Sequence, residues 1–181
     1  CVAPDQRGYN TSSKPEGVIE YTGGKLARDA AAILTHFAPH ARAVIGHDWG
    51  ASVAYALTFA RPDLMDKLII LNGAHPLPFQ RALATGGPQA EASQYIDYLR
   101  SPKAEAQLSA DDFSKLAALF ADGMDMSWLS GRRLEKYLDA WGQPGALTGM
   151  LNWYRATPMQ VAKPGQPIPP DEIKVLDPAK L

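Results

Sequence analysis

The pentapeptide Gly46-His47-Asp48-Trp49-Gly50 follows a short apolar run, Ala43-Val44-Ile45, and precedes a small-residue segment from Ala51 to Ala60. That order reads as a buried strand, a sharp turn and a helix, with Asp48 at the apex. A side chain held there is thrust out at the carboxyl end of the strand. Glycines two residues to either side let strand and helix backbones pass closely. The N–H groups that open the helix favour negative charge beside them. A carboxylate in this place can act as a nucleophile, and the fate of its product limits what it attacks. On an ordinary ester it would form an unproductive anhydride. On a saturated electrophilic carbon, as in an epoxide or an alkyl halide, it forms an ester that water then cleaves at the acyl carbon. The backbone N–H of Trp49, directly after the apex, would donate to the oxyanion of that cleavage. The same five residues also suit a plain tight turn in which Asp48 caps the helix.

The elements around this turn are those of an α/β protein. Leu26, Ala30, Ile33, Leu34 and Phe37 recur at helical spacing and predict a helix over 24–37 with one buried stripe, ended by Pro39. Lys67 to Asn72 reads as a second buried strand, and Cys1 to Asp5 as the tail of another. Helix, strand, helix, strand at this pacing predicts a parallel sheet. After Asn72 the pattern changes to helices near 89–100, 111–121, 130–141 and 144–156, with Ser109 and Asp112 resembling a capping box. Lys163 to Pro170 is a proline-rich connector, read as extended. The domain reading is therefore a core over 1–74, a helical excursion over 75–163 and a return towards the core over 164–181.

Composition excludes several classes of function. The 181 residues carry 18 Lys+Arg against 19 Asp+Glu, a formal net charge of −1, which supplies no basic footprint for nucleic acid. No apolar run approaches the ~18–20 residues that span a bilayer. One cysteine, Cys1, builds no disulfide framework, so the expected compartment is cytoplasmic. His36 and His40 stand at a helical metal spacing, but Pro39 intervenes and no third ligand is placed nearby, so they read as surface residues. His47 precedes the apex and is expected to point away from it and pack. Asp111-Asp112 and Arg132-Arg133 read as helix-end charges.

These motifs together resemble the epoxide hydrolase branch of the α/β-hydrolase superfamily, over nearly the whole chain. Asp5-Gln6-Arg7-Gly8-Tyr9 is similar to its D-x-R-G-Y stretch. Gly46-His47-Asp48-Trp49-Gly50 is similar to its G-H-D-W-G elbow, Leu71 to Pro76 to the point where its cap begins, and Leu151-Asn152-Trp153-Tyr154-Arg155 to a late cap helix. The resemblance implies a partial α/β-hydrolase fold, a parallel sheet with a helical cap inserted after the strand ending near Asn72. It implies Asp48 as nucleophile and two cap tyrosines that donate to the epoxide oxygen. Tyr154 matches one of them. For the other, Tyr98 is favoured and Tyr95 is second. Ring opening leaves an alkoxide, and a phenol of pKa ~10 is a suitable donor to it near neutral pH. By periodicity alone Tyr154 is a core tyrosine on a stripe with Leu147, Met150 and Leu151. Trp49, Tyr95 and Trp153 are expected to contact substrate, and His75, where the chain leaves the sheet for the cap, is expected to be structural or to line the pocket and contact substrate there. The implied partners are a small epoxide and water, with no cofactor, no metal, no nucleic acid and no membrane span.

A haloalkane dehalogenase shares the aspartate followed by tryptophan, and Trp49 and Asn72 can be read as its halide donors. The paired tyrosines favour the epoxide. Haloacetate dehalogenases resemble a G-H-D-R-G elbow, which Trp49 does not fit. A binding protein on the same fold is the reading outside enzymes. The mechanism also needs a histidine and a carboxylate to activate water, and no histidine follows His75. The expectation is an internal piece of a longer enzyme, inactive by itself and prone to fold poorly because its sheet lacks neighbours.

Overall fold

The computed structural model describes residues 1–119 and 125–174. After a loop and a 3-10 turn at Val18–Tyr21 come α1 (Gly23–Phe37), β1 (Val44–His47), α2 (Trp49–Ala60), a second 3-10 turn at Pro62–Leu64 and β2 (Leu68–Leu71). The helices α3 (Pro76–Ala84), α4 (Pro88–Ala92), α5 (Tyr95–Arg100), α6 (Ala104–Leu119), α7 (Arg132–Trp141) and α8 (Ala146–Ala156) follow. Cys1 to Asp5, expected as a strand tail, forms none. The residues fall into two compact units. One joins Cys1–Val18 to Asp97–Arg155, and the other joins Ile19–Ile96 to the described part of Ala156–Leu181. These limits differ from the expected boundaries at 74 and 163: α3 and the turn after it are joined to the return segment by a run of backbone hydrogen bonds.

In the unit that holds the sheet, β1 and β2 pair in parallel with Val44 opposite Leu68 and His47 opposite Leu71. Ala27, Ala56, Leu57, Leu64 and Met65 form its core, with Ala30, Ala31, Leu34, Ala41 and Val44 packed against them. Alanines on both helices let α1 and α2 approach closely over that core. Phe37, expected in the buried stripe, is 63% exposed at the end of α1. Strand alternation places Ile45, 61% exposed, and His47 on one sheet face. That face is open here, so His47 is exposed rather than packed.

The expected helices did not include α3, whose first turn carries Pro76 and Pro78. Pro76 is its first residue, where a missing N–H costs nothing. The return segment is a strap laid on α3. The side chain of Gln80 donates to the carbonyl of Gln160 (3.1 Å) and accepts from its N–H (3.0 Å). Ala162 N–H donates to Leu83 O (3.0 Å), Gly165 N–H to Gly86 O (2.8 Å) and Ile168 N–H to Ala84 O (2.9 Å). Lys163 to Gln166 is a turn rather than an extended link. Gln166 N–H donates to Lys163 O (2.9 Å), and Gly165 takes the positive φ of 71° that a Pro-Gly turn requires.

In the other unit, Leu99, Ala104, Leu108, Leu147 and Leu151 form the core, with Tyr98, Phe113, Leu116, Met150 and Tyr154 against it. The helix expected to start at Asp111 begins at Ala104 instead, and Asp111 to Phe113 break its course with φ of 48°, 49° and 61°. Ser109 does not cap there. Its hydroxyl donates back to Ala106 O (3.4 Å). Ala121 lies outside the described residues. Gly149 of α8 meets the loop at Gly8, where an added Cβ would lie 2.6 Å from the Gly8 Cα.

Candidate active site

The turn from β1 into α2 has the geometry its glycines predicted. Asp48 sits at φ 50° and ψ −121°, a conformation that L residues adopt only at a cost of about 1–3 kcal/mol. A Cβ on Gly46 would lie 2.5 Å from Gly50 O and 2.7 Å from the Ala51 Cα. Only glycine lets strand and helix pass there. Gly73, just after β2, is held equally close to the Ala51 side chain. Ala51 N–H donates to Asp48 O (3.0 Å), but the Asp48 carboxylate makes no capping hydrogen bond. It is exposed. The strain is therefore not explained by a capping role. Trp49, half-buried, is the first residue of α2.

Two other expected site residues share this unit. Tyr95 begins α5 and is 45% exposed. Its phenol is held above the ordinary tyrosine value of 10.0, first by partial burial and then by the negative charge of Asp48. His75 is the N-cap of α3. Its Nδ1 accepts from Leu77 N–H (3.3 Å). Its ring lies edge-on to Tyr55 (centroids 5.1 Å apart) and near Phe59 (5.7 Å). That arrangement starts a helix, a job the sequence did not reveal.

The remaining expected residues belong to the other unit. Tyr154 lies on α8 against the apolar cluster, and its carbonyl accepts from Arg100 Nε (2.9 Å). Trp153 is 1% exposed. Its Nε1–H donates to Arg7 O (2.9 Å), and its ring meets Tyr9 edge-on at 5.5 Å. It locks α8 to the Arg7–Tyr9 loop, and so buried a ring offers no face to a ligand. Tyr98 packs on the same cluster as Tyr154, with Lys115 Nζ 5.1 Å over its ring. Its hydroxyl is closed off from solvent and has no hydrogen-bond partner among the described residues.

His36 and His40 are exposed. His40 Nε2 lies 3.5 Å from Asp66, and His36 is edge-on to Phe37. No three His, Cys, Asp or Glu side chains among the described residues converge on a point. No described helix is long and apolar enough to cross a membrane.

The profile of the α/β hydrolase fold family matches residues 1–142. The chain is 41% identical over 156 residues to the AB hydrolase superfamily protein YfhM of Bacillus subtilis, covering 86% of this chain and 54% of that protein. It is 32% identical over 160 residues to mouse epoxide hydrolase 4, covering 85% and 45%. An epoxide hydrolase structure from hot-environment metagenomes superposes with a TM-score of 0.80 at 35% identity, covering 93% of this chain and 57% of that one. The chain thus spans about half the length of the relatives it matches. The fold expected from the sequence, a partial α/β-hydrolase with a parallel sheet, is the one these likenesses describe.

Proposed function

Because the chain belongs to the α/β hydrolase fold family and epoxide hydrolases are among its relatives, we propose that it supplies the nucleophile and the ring-opening donors for conversion of an epoxide to a vicinal diol. The observation that carries the proposal is the strained elbow, which holds an exposed carboxylate engaged in no capping bond. An Asp48 oxygen attacks an epoxide carbon and the ring C–O bond breaks. The electron pair passes to the epoxide oxygen, which takes a proton from a tyrosine hydroxyl. Water then adds to the ester carbonyl carbon, giving up its proton to a base. The Trp49 N–H stabilises the oxyanion. Collapse expels the diol oxygen, which takes up the proton left on the new carboxyl group, and the proton held by the base returns to the tyrosinate, so that carboxylate, phenol and base are all restored.

Two tyrosines compete for the donor role beside Tyr154, whose assignment rests on its motif. Tyr95 is favoured here over Tyr98, since the residue is partly exposed and its phenol lies in the field of the Asp48 charge. The orphaned hydroxyl of Tyr98 supports a second reading, in which that group waits for the epoxide oxygen. Single turnover of the whole protein with styrene oxide, followed by acid quench and mass spectrometry, tests the nucleophile. An ester on Asp48 is expected, and modification at any other residue sinks the assignment. Halide release from haloalkanes with no turnover of epoxides would move the reading to a dehalogenase.

A further inference from the structure

The helical pattern over 89–100 is continuous in sequence, yet the chain breaks it at Ser93 and Gln94, between α4 and α5. The break has a structural cause. Ser93 N–H donates to Ala90 O (3.2 Å), Gln94 N–H to Glu91 O (3.3 Å) and Ile96 N–H to Ser93 O (3.0 Å). These bonds reach back three residues and tighten the backbone into a corner. Ser93 is 2% exposed, and its hydroxyl accepts from Gln89 Nε2 (3.0 Å). The carboxamide of Gln94 closes the corner. Its Nε2 donates to Ala90 O (2.8 Å) and to Ala162 O (2.9 Å), so both of its protons are used in directions set by the planar amide.

Ala162 is a firm anchor. It is 2% exposed, its own N–H is bound to Leu83 O, and the strap to either side is held by Gln80 on Gln160 and by Gly165 on Gly86. The next residue after Gln94 is Tyr95. We propose that Gln94 is a positioning residue for ring opening: by tying the α4–α5 corner to the strap at Ala162, it fixes the direction in which Tyr95 leaves the first turn of α5. The inference rests on the reading of Tyr95 as donor. It goes beyond that reading in naming a residue, and a segment distant in sequence, that set the donor's place.

The test uses the whole protein and single-turnover kinetics with styrene oxide, resolving the alkylation and ester-hydrolysis rate constants. Gln94→Ala removes both bonds, and Gln94→Met removes them while keeping the side-chain length, so that a folded variant is in hand if the alanine form is too unstable. Both are expected to slow alkylation about tenfold, leaving substrate Kd within about twofold and ester hydrolysis unchanged, since the donor acts only on the departing oxygen. Equal slowing of both steps means a merely structural residue and overturns the proposal. So does unchanged alkylation in Gln94→Met while Tyr95→Phe slows it. If Tyr95→Phe itself leaves alkylation unchanged, the donor reading fails, and the role of Gln94 falls with it.

Discussion

Asp48 and Tyr95 are electrostatically coupled: after the partial burial of its ring, the carboxylate charge helps hold the Tyr95 phenol above the ordinary tyrosine range. The sense of the coupling suits ring opening. A donor must be protonated when the nucleophile is charged, and the charge of Asp48 favours the protonated phenol of Tyr95.

The coupling separates the two candidate donors. Tyr95→Phe is expected to slow alkylation of Asp48 by about 10²-fold, read by single-turnover quench. Tyr98→Phe is expected to leave that step at the wild-type rate and to raise stability by about 1 kcal/mol, because it removes a buried hydroxyl with no partner. Thermal unfolding measures the second effect. A slow Tyr98→Phe enzyme alongside a fast Tyr95→Phe enzyme would reverse the assignment.

The pH dependence follows from the direction of the shift. A phenol whose value in the folded protein exceeds its unfolded value of 10.0 keeps its proton to higher pH. Its contribution to stability is complete below the unfolded value and is lost as pH rises through the folded one. Donation from Tyr95 should follow the same course. The alkylation rate is therefore expected to show no descending limb from this group until above pH 10. A descending limb near pH 8 that persists in Tyr95→Phe belongs to another group, and one that vanishes in that variant contradicts the raised value.

Elbow strain is the third measurable quantity. Asp48 pays for its positive φ, and glycine adopts that conformation freely. Asp48→Gly is expected to abolish alkylation while stabilising the fold by about 1 kcal/mol, measured by denaturant unfolding of the whole protein. A destabilised glycine variant would show that the carboxylate serves structure rather than chemistry.

Much of this was legible in the local sequence. The elbow announced itself because its steric demands fall on neighbouring residues: Gly46 must lack a Cβ to pass Gly50 and Ala51. The strands Val44–His47 and Leu68–Leu71 were marked by aliphatic runs of strand length. The helix at Pro76 was hidden because proline reads alike as a breaker and as a first helical residue. The break at Ser93-Gln94 was hidden because its cause, the carbonyl of Ala162, lies far along the chain. Trp153 looked like a pocket residue because a motif preserves its position without saying which way the ring faces. The carbonyl of Arg7 and the edge of Tyr9 decide that.

The sequence by itself determined the class of fold and the identity of the apex residue, since both depend on periodicity and on contacts between near neighbours. Only the tertiary structure distinguishes the surroundings of Tyr95 from those of Tyr98. The two tyrosines stand three residues apart in one helical segment, so no local pattern tells them apart. The difference is environment. Tyr98 is carried into an apolar cluster with its hydroxyl shut in, whereas Tyr95 follows a corner tied to the strap and meets the charge of Asp48.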